Sequence, residues 1–550
     1  MSASPANQPA SIGGAEAGTA PARAPLVLAT LIVVAAVANL NLSVANVALP
    51  TIGKAFDSSQ TALNLIAVGF SLGLAASVLY LGAVGDRYGR KMMVVVGLVL
   101  SIPASLLAAY APTDGVLAVA RIFGGVAAGM VYPTTLALIA ALWTGPPRTR
   151  AIALWSALGG AIASLGPMAS GFLLERFWWG SVFLITLPLA VLALLMAWFL
   201  VPAHAHESTD AVDNLGGVLS VVLVASLVLA IDFAPVPGRG TLVVGLAVLA
   251  LAATVAFLLR QQRAPNPLYD LTIARRRIFW VAACAGIIVF GSLMGSMFIS
   301  QQYLQNVLGY TTLQAGTAFL PAVVLMVLVA PRSAKLVEAR GARTTLLIGY
   351  VFLMAAFLWM FFVWGEGSPY WAVAVAYAFI GVGVGFAGTP ASHSLTGAVP
   401  VNRAGMASGT ADLQRDLGGA IMQSVFGALL TAGYASAFGA AIANNPQGQA
   451  VSASVQSALT KSFASAQQIA EQYPSYADQI TAAAKQSFLQ GDDWAYAAGA
   501  VAILLGAVLV FFMFPRRQRE RELLAAYQAQ GARPRRAGAP ESSAEGAPAD

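Results

Sequence analysis

The chain has 550 residues, 58% of them hydrophobic and only 10% charged, with a mean hydropathy of +0.74 and a net charge of +7. So few charges cannot clothe a water-exposed surface of that size, which excludes the soluble globular classes and points to a chain that crosses a bilayer many times. The one cysteine, Cys284, lies in an apolar run, so no disulfide forms within the chain and it reads as a small buried hydrophobe.

Residues 1–25 are rich in Ala, Ser, Pro and Gly, lack the charged start and cleavage site of a signal peptide, and read as a disordered tail. A spanning helix needs about 20 apolar residues, and fourteen runs supply them. They lie at 26–49, 61–84, 92–111, 115–142, 151–174, 179–201, 214–234, 241–259, 278–303, 313–334, 344–364, 370–397, 405–438 and 494–514. The stretch 439–493 is expected to be an external loop forming a short surface hairpin. From 515 to 550 an arginine-rich amphipathic turn, Arg516 to Tyr527, suits the inner leaflet and is followed by disorder.

An even number of spans puts both termini on one side. With that side cytoplasmic, its segments hold 23 Arg and Lys residues against 5 on the other. The positive-inside rule therefore orients the chain, and the net charge reports topology and attraction to anionic lipid rather than nucleic-acid binding. Twenty-five Arg against 5 Lys in an alanine-rich chain suggests a GC-rich bacterial genome, hence a bacterial plasma membrane.

Between spans 2 and 3 the chain reads Gly82-Ala-Val-Gly-Asp86-Arg87-Tyr-Gly89-Arg90-Lys91. Four charges wedged between apolar runs must form a tight turn at the membrane surface, since a charge in mid-bilayer costs at least ~3 kcal/mol. Gly85 and Gly89 permit the sharp turn and close helix approach. Between spans 10 and 11, Glu338, Arg340 and Gly341 are a degraded echo, with Glu338 where Asp86 stands and Gly341 where Gly89 stands. Fourteen then divides as six, two and six: bundles at 26–201 and 278–514 and an inserted pair within 202–277, bounded by the linker at 202–213 and the arginine-rich loop at 260–277.

The charged turn resembles the motif between helices 2 and 3 of the major facilitator superfamily. Further stretches resemble its fourteen-helix drug:proton antiporters of the EmrB/QacA type: Val44-Ala-Asn46-Val47-Ala48-Leu49-Pro50 at the end of span 1, Arg121-Ile-Phe-Gly124-Gly125 in span 4, and Gly166-Pro167-Met-Ala-Ser170-Gly171 in span 5, with Ser170 in place of one motif glycine. The resemblance covers about residues 26–515. It implies an all-α polytopic fold of two six-helix bundles plus an inserted helix pair, and proton-coupled export of lipophilic, often cationic compounds by alternating access. The alternative is a dedicated exporter of an endogenous lipid, siderophore or secondary metabolite. It also implies that Gly82, Asp86, Arg87, Gly89 and Arg90 latch the cytoplasmic side across the two halves, that Arg121 is a membrane-embedded arginine, and that Gly166, Pro167 and Gly171 form the antiporter motif. One departure stands out. Where the family usually carries an aspartate two residues before a threonine in span 1, this chain has Asn41 and Ser43, and an asparagine cannot carry a proton.

The acidic residues within spans are few. Asp232, near the outer end of span 7 just before Pro235, is expected to face headgroups. In span 13, Ser408, Asp412, Arg415/Asp416, Gly419 and Gln423 recur at helical spacing and form one polar stripe. Asp412 and Asp416 lie roughly 10–17 Å in from the helix start. Arg415 partners either acid, so the set is a candidate proton carrier or, in the plainer reading, a structural ion pair. Asn41, Asn46, Ser296, Ser300 and Gln423, beside Phe70, Met294, Met297 and Phe298, suit a cavity for lipophilic cations or ordinary helix packing. No phosphate-binding glycine loop, catalytic triad or metal-ligand spacing occurs, so neither an enzyme nor a cofactor is expected. The expected partners are small lipophilic substrates, protons and membrane lipids, and the chain is expected to work as a monomer powered by the proton gradient.

Overall fold

The computed structural model describes residues 21, 23–143, 145–202, 211–399, 404–445 and 451–532, and among them every regular element is helical. Fourteen long helices follow in order: α1 (Ala24–Phe56), α2 (Gln60–Tyr88), α3 (Arg90–Ala109), α4 (Asp114–Leu142), α5 (Gly145–Leu174), α6 (Ser181–Leu184 continued by Thr186–Leu200), α7 (Asn214–Phe233), α8 (Gly240–Arg263), α9 (Arg277–Asn306), α10 (Thr312–Ala318 continued by Leu320–Arg340), α11 (Ala342–Val363), α12 (Tyr370–Gly397), α13 (Ala404–Asn444) and α14 (Ala477–Met513). All but α5 contain a described apolar window long enough to span a bilayer, and α5 carries the apolar stretch Leu165–Leu174. Starts are set by side-chain caps: Ser59, Thr113 and Asp213 each accept a backbone N–H of the first turn. The face that bears both ends of the helix series is called proximal below, and the opposite face distal. The tail expected at 1–25 lies outside the described residues except for 21 and 23–25, as does the tail beyond 532.

Two helices differ in extent from the apolar runs that announce them. α13 continues to Asn444 and α14 begins at Ala477, with short helices at Ala453–Lys461 and Phe463–Gln472 between them. The stretch 439–493 is thus largely helical. Its Ala- and Gln-rich composition favours helix on both sides of the membrane boundary, whereas hydropathy marks only the part that lipid covers.

In the first bundle α2 and α3 pack on α4, and α1 packs on α5 and α6; in the second, α9 packs on α13, α10 and α11 on α12, and α14 on α11 and α13. The bundles meet through α2 with α13, α5 with α10, and α1 with α9. Counted within each six-helix set, these are second with fifth, fifth with second and first with first, the pattern of a pseudo-two-fold axis. The inserted α7 lies along the α2–α13 seam, and α8 packs on α7 with a membrane window only 11% buried. The repeat shows at single residues too. The α2–α3 and α10–α11 turns each hinge on one glycine, Gly89 at φ 121° and Gly341 at φ 88°, in backbone territory that side-chain-bearing residues rarely enter.

The helix Arg517–Ala532 seals the second of these turns. Arg517 and Arg521 donate to the Glu338 carbonyl at 3.0 and 3.3 Å, and Glu520 accepts from the Ala342 backbone N–H at 3.1 Å. Burial pushes the Glu520 carboxyl above its usual range.

Gly89→Ala should cost about 1–3 kcal/mol through backbone strain. Gly82→Ala, with nothing within 4 Å of the added methyl, should cost nothing. Thermal melts of the two purified variants in detergent compare them directly, and equal melting temperatures would contradict the hinge.

Candidate functional site

The distal face is shut. Gln60 of α2 donates to Gln302 of α9 at 2.9 Å, Asn64 of α2 to Thr431 of α13 at 3.1 Å, Gln305 of α9 to the Val47 carbonyl of α1 at 2.9 Å, and Thr312 of α10 to the Gly171 carbonyl of α5 at 3.0 Å. The glycines explain how backbones come this close. A Cβ at Gly171 would lie 2.5 Å from the Thr312 carbonyl oxygen, one at Gly316 2.3 Å from that of Pro167, and one at Gly427 2.5 Å from the Asn64 side chain. The span-5 motif is therefore a contact surface between bundles, and Gly166, where a Cβ would meet Ser43 at 2.1 Å, fits the same helix against α1. The helices at 453–472 add a cap. Lys461 pairs with Asp57 at 2.6 Å, Ser462 donates to the Ser58 carbonyl at 2.9 Å, and Gln468 donates to the Lys54 carbonyl at 3.0 Å.

In the proximal half, a direct hydrogen bond joins the bundles through α13. Arg415 of α13 donates to the Tyr132 hydroxyl of α4 at 2.6 Å, with its guanidinium 4.3 Å from the ring centroid. The same guanidinium pairs with Asp416 at 3.1 Å. Asp412, one turn earlier, is 7% exposed and Asp416 3% exposed, and one carboxylate oxygen of each is buried without a partner. At about 1.5 Å per residue these acids lie roughly 12 and 18 Å from the helix start. The stripe expected from helical spacing is thus a cluster of two buried acids and one cation on a helix that belongs to the seam.

The charged turn makes bonds within its own bundle in this conformation. Asp86, 43% exposed at its side chain, pairs with Arg90 at 2.8 Å, and Lys91 donates to the Trp198 carbonyl of α6 at 2.7 Å. Arg87 lies in the last turn of α2, Gly85 fits against Met93 and Thr134, and a Cβ at Gly82 would meet nothing within 4 Å.

Arg121 is buried within the first bundle and donates to the backbone carbonyls of Asn41 at 2.6 Å and Ile66 at 3.3 Å. The Asn41 side chain bonds Val37 and Thr186, partners in that same bundle. Ser296 donates to Leu293, and Ser300 donates to Ser296 and accepts from Tyr377, all in the second bundle. Asn41 and the pair Ser296 and Ser300 are thus bonded within separate bundles. Asn46 and Gln423 differ from the rest, since each keeps a buried amide oxygen without a partner.

Two acids lie deeper in the protein than their sequence context suggests. Asp232 is fully buried rather than turned to the headgroups, because it continues the face of Val224 and Val228 that α7 presses onto α2 and α13. Asp492 was assigned to a loop, yet it lies inside α14 and is fully buried near Tyr496, whose hydroxyl also lacks a partner. The detectable signal was periodicity: Phe488, Asp492, Tyr496, Gly499, Ile503, Gly506 and Val510 share the buried face of one helix.

Two six-helix bundles meeting on a two-fold seam, closed at one face and holding buried acids on a seam helix, define a membrane transporter. The chain belongs to the Major Facilitator Superfamily, whose family model matches residues 31–423. It is 33% identical over 396 residues to the multidrug resistance protein Stp of Mycobacterium tuberculosis, covering 72% of this chain and 73% of that one. It is 30% identical over 417 residues to the multidrug efflux pump LfrA of Mycolicibacterium smegmatis, covering 76% and 82%. Among solved structures, a bacterial homolog of the human lysosomal transporter Spinster in an inward-facing, occupied conformation matches 90% of this chain and 98% of that chain, with a TM-score of 0.57 at 15% identity.

Gly171→Val should wedge α5 from α10 and shift the population toward a distal-open state. Disulfide trapping between cysteines placed at Gln60 and Gln302, in a Cys284→Ser background, should fall at least several-fold in that variant; unchanged trapping would free the motif from this role. Arg415→Ala, which leaves Asp412 and Asp416 buried without their cation, should cost about 3–5 kcal/mol, against about 1 kcal/mol for Tyr132→Phe. Denaturation of the purified proteins compares the two.

Proposed function

We propose that the chain is a proton-driven exporter of lipophilic, often cationic compounds, working as a monomer in a bacterial plasma membrane with its proximal face in the cytoplasm. The observation that carries this reading is the Asp412–Arg415–Asp416 cluster: two buried acids and a cation on a seam helix, tied across the seam to Tyr132. The names of the relatives Stp and LfrA support export of several drugs, and the Arg and Lys distribution supports the orientation. No cofactor is required, because the proton gradient supplies the energy.

In this reading Asp412 and Asp416 carry the proton. Protonating Asp416 removes the anion that shares Arg415 with Tyr132, which alters a proximal bond between bundles and biases the exchange of conformations. Each charge driven through 100 mV contributes about 2.3 kcal/mol, enough for a roughly fifty-fold gradient at 1.36 kcal/mol per decade. Asp86, Arg87 and Arg90, with Gly82 and Gly89, form the cytoplasmic latch when the distal face opens. Arg121 and Gly166-Pro167-Gly171 hold the helices that move. Asn46 and Gln423 are the leading substrate contacts, with Asn41, Ser296 and Ser300 behind them.

The test is uptake of a fluorescent lipophilic cation into inverted vesicles. Asp412→Asn/Asp416→Asn should abolish uptake driven by a pH gradient while the protein still reaches the membrane in normal amount. Wild-type uptake by that variant would reject the cluster as the coupling site, and Asp232→Asn and Asp492→Asn in the same series would show whether coupling lies there. Protection against a single compound in a panel of dyes and drugs would favour the dedicated exporter.

A further inference from the structure

The first bundle buries a cation without burying an anion. Arg121 is 3% exposed, and two of its guanidinium nitrogens are spent on the carbonyls of Asn41 and Ile66. The rings of Phe70 and Phe183 lie 4.8 and 5.7 Å from it by their centroids. The third nitrogen, Nη2, is buried without a partner. Among the described residues no Asp or Glu pairs with this guanidinium. An arginine does not shed its proton in proteins, so the charge stays, and carbonyl dipoles and ring faces solvate it only in part.

Beside Arg121 lies a cavity of about 20 Å³, bordered by Asn41, Phe70, Ser101, Ser105, Arg121 and Phe183 among mainly aliphatic neighbours. That volume admits one particle the size of a water or a halide, and it is too small for a carboxylate, sulfate or phosphate. The other polar groups of the wall are engaged: Ser101 donates to the Leu98 carbonyl, Ser105 shares a hydrogen bond with Thr186, and Asn41 donates to the Val37 carbonyl. The donor left over is the charged one.

We propose that this cavity is a binding site for a single halide ion, chloride under ordinary conditions, held by Arg121 Nη2. The ion neutralises the charge buried in the bundle core. The apolar wall favours bromide and chloride over fluoride, because fluoride holds its water too strongly to enter a site with few donors. The site is independent of the transport reading, and its test reads binding rather than export.

The experiment is thermal denaturation of the full chain in detergent, with sodium gluconate exchanged for bromide, chloride or fluoride at constant ionic strength. Bromide and chloride should each raise the melting temperature by about 1–3 °C and saturate, as expected for a ligand at roughly ten times its dissociation constant, while fluoride should not. Asn41→Asp should remove the halide response by supplying the missing anion, and Arg121→Gln should remove it by deleting the donor. Asn41→Asp keeps the test decisive should Arg121→Gln fail to fold. Equal responses to all three salts, or a halide response undiminished in Asn41→Asp, would overturn the proposal and leave the cavity to a water.

Discussion

The constraint on which this molecule turns is the cost of holding charge where there is no water. At membrane depth a charged side chain survives only with a partner or inside the protein, and the chain meets that condition differently in its two halves. On α13, Arg415 has Asp416 and the Tyr132 ring and hydroxyl. In the first bundle, Arg121 has only backbone carbonyls and the faces of Phe70 and Phe183. The cluster on α13 holds both signs, so a proton arriving or leaving changes its balance; the arginine on α4 is a fixed charge.

Closure of the distal face follows from a second constraint, the distance at which two helix backbones can pass. Where α5 meets α10, Gly171 and Gly316 admit backbone carbonyls at distances no side chain would tolerate, and Gly427 does the same for Asn64. Close passage brings Gln60, Gln302, Asn64 and Thr431 into bonding range, so a polar gate forms at the end of apolar helices. The cap at 453–472 fastens to the α1–α2 turn. The distal face must therefore break both sets of bonds to open. At the proximal face, Arg415 and Tyr132 bond across the seam.

Much of this was legible in the order of residues. Fourteen apolar runs became fourteen helices because a backbone in hydrocarbon must satisfy its own hydrogen bonds, and a helix is the local way to do so. Gly89 and its echo Gly341 were legible as hinges because the backbone at each needs a positive φ. The stripe on α13 was legible because helical spacing gathers Asp412, Asp416 and Gln423 on one side. The burial of Asp492 and Asp232 was not legible for the opposite reason: a carboxylate near the end of an apolar run looks like an interfacial residue. Only the neighbours decide whether protein or solvent covers it.

Local chemistry sufficed for what it governs: which segments enter the membrane, how many there are, where the chain turns and which residues share a helix face. Those properties arise within one helix or one turn, so spacing and hydropathy encode them. The tertiary structure alone decided which helix each face meets. It placed the span-5 glycines against α10 and Tyr132 over Arg415, left Arg121 with carbonyls in place of a carboxylate, and closed the distal face rather than the proximal one. Each of these joins residues tens to hundreds of positions apart, and a pairing between distant segments is a property of the assembled bundles that no single segment contains.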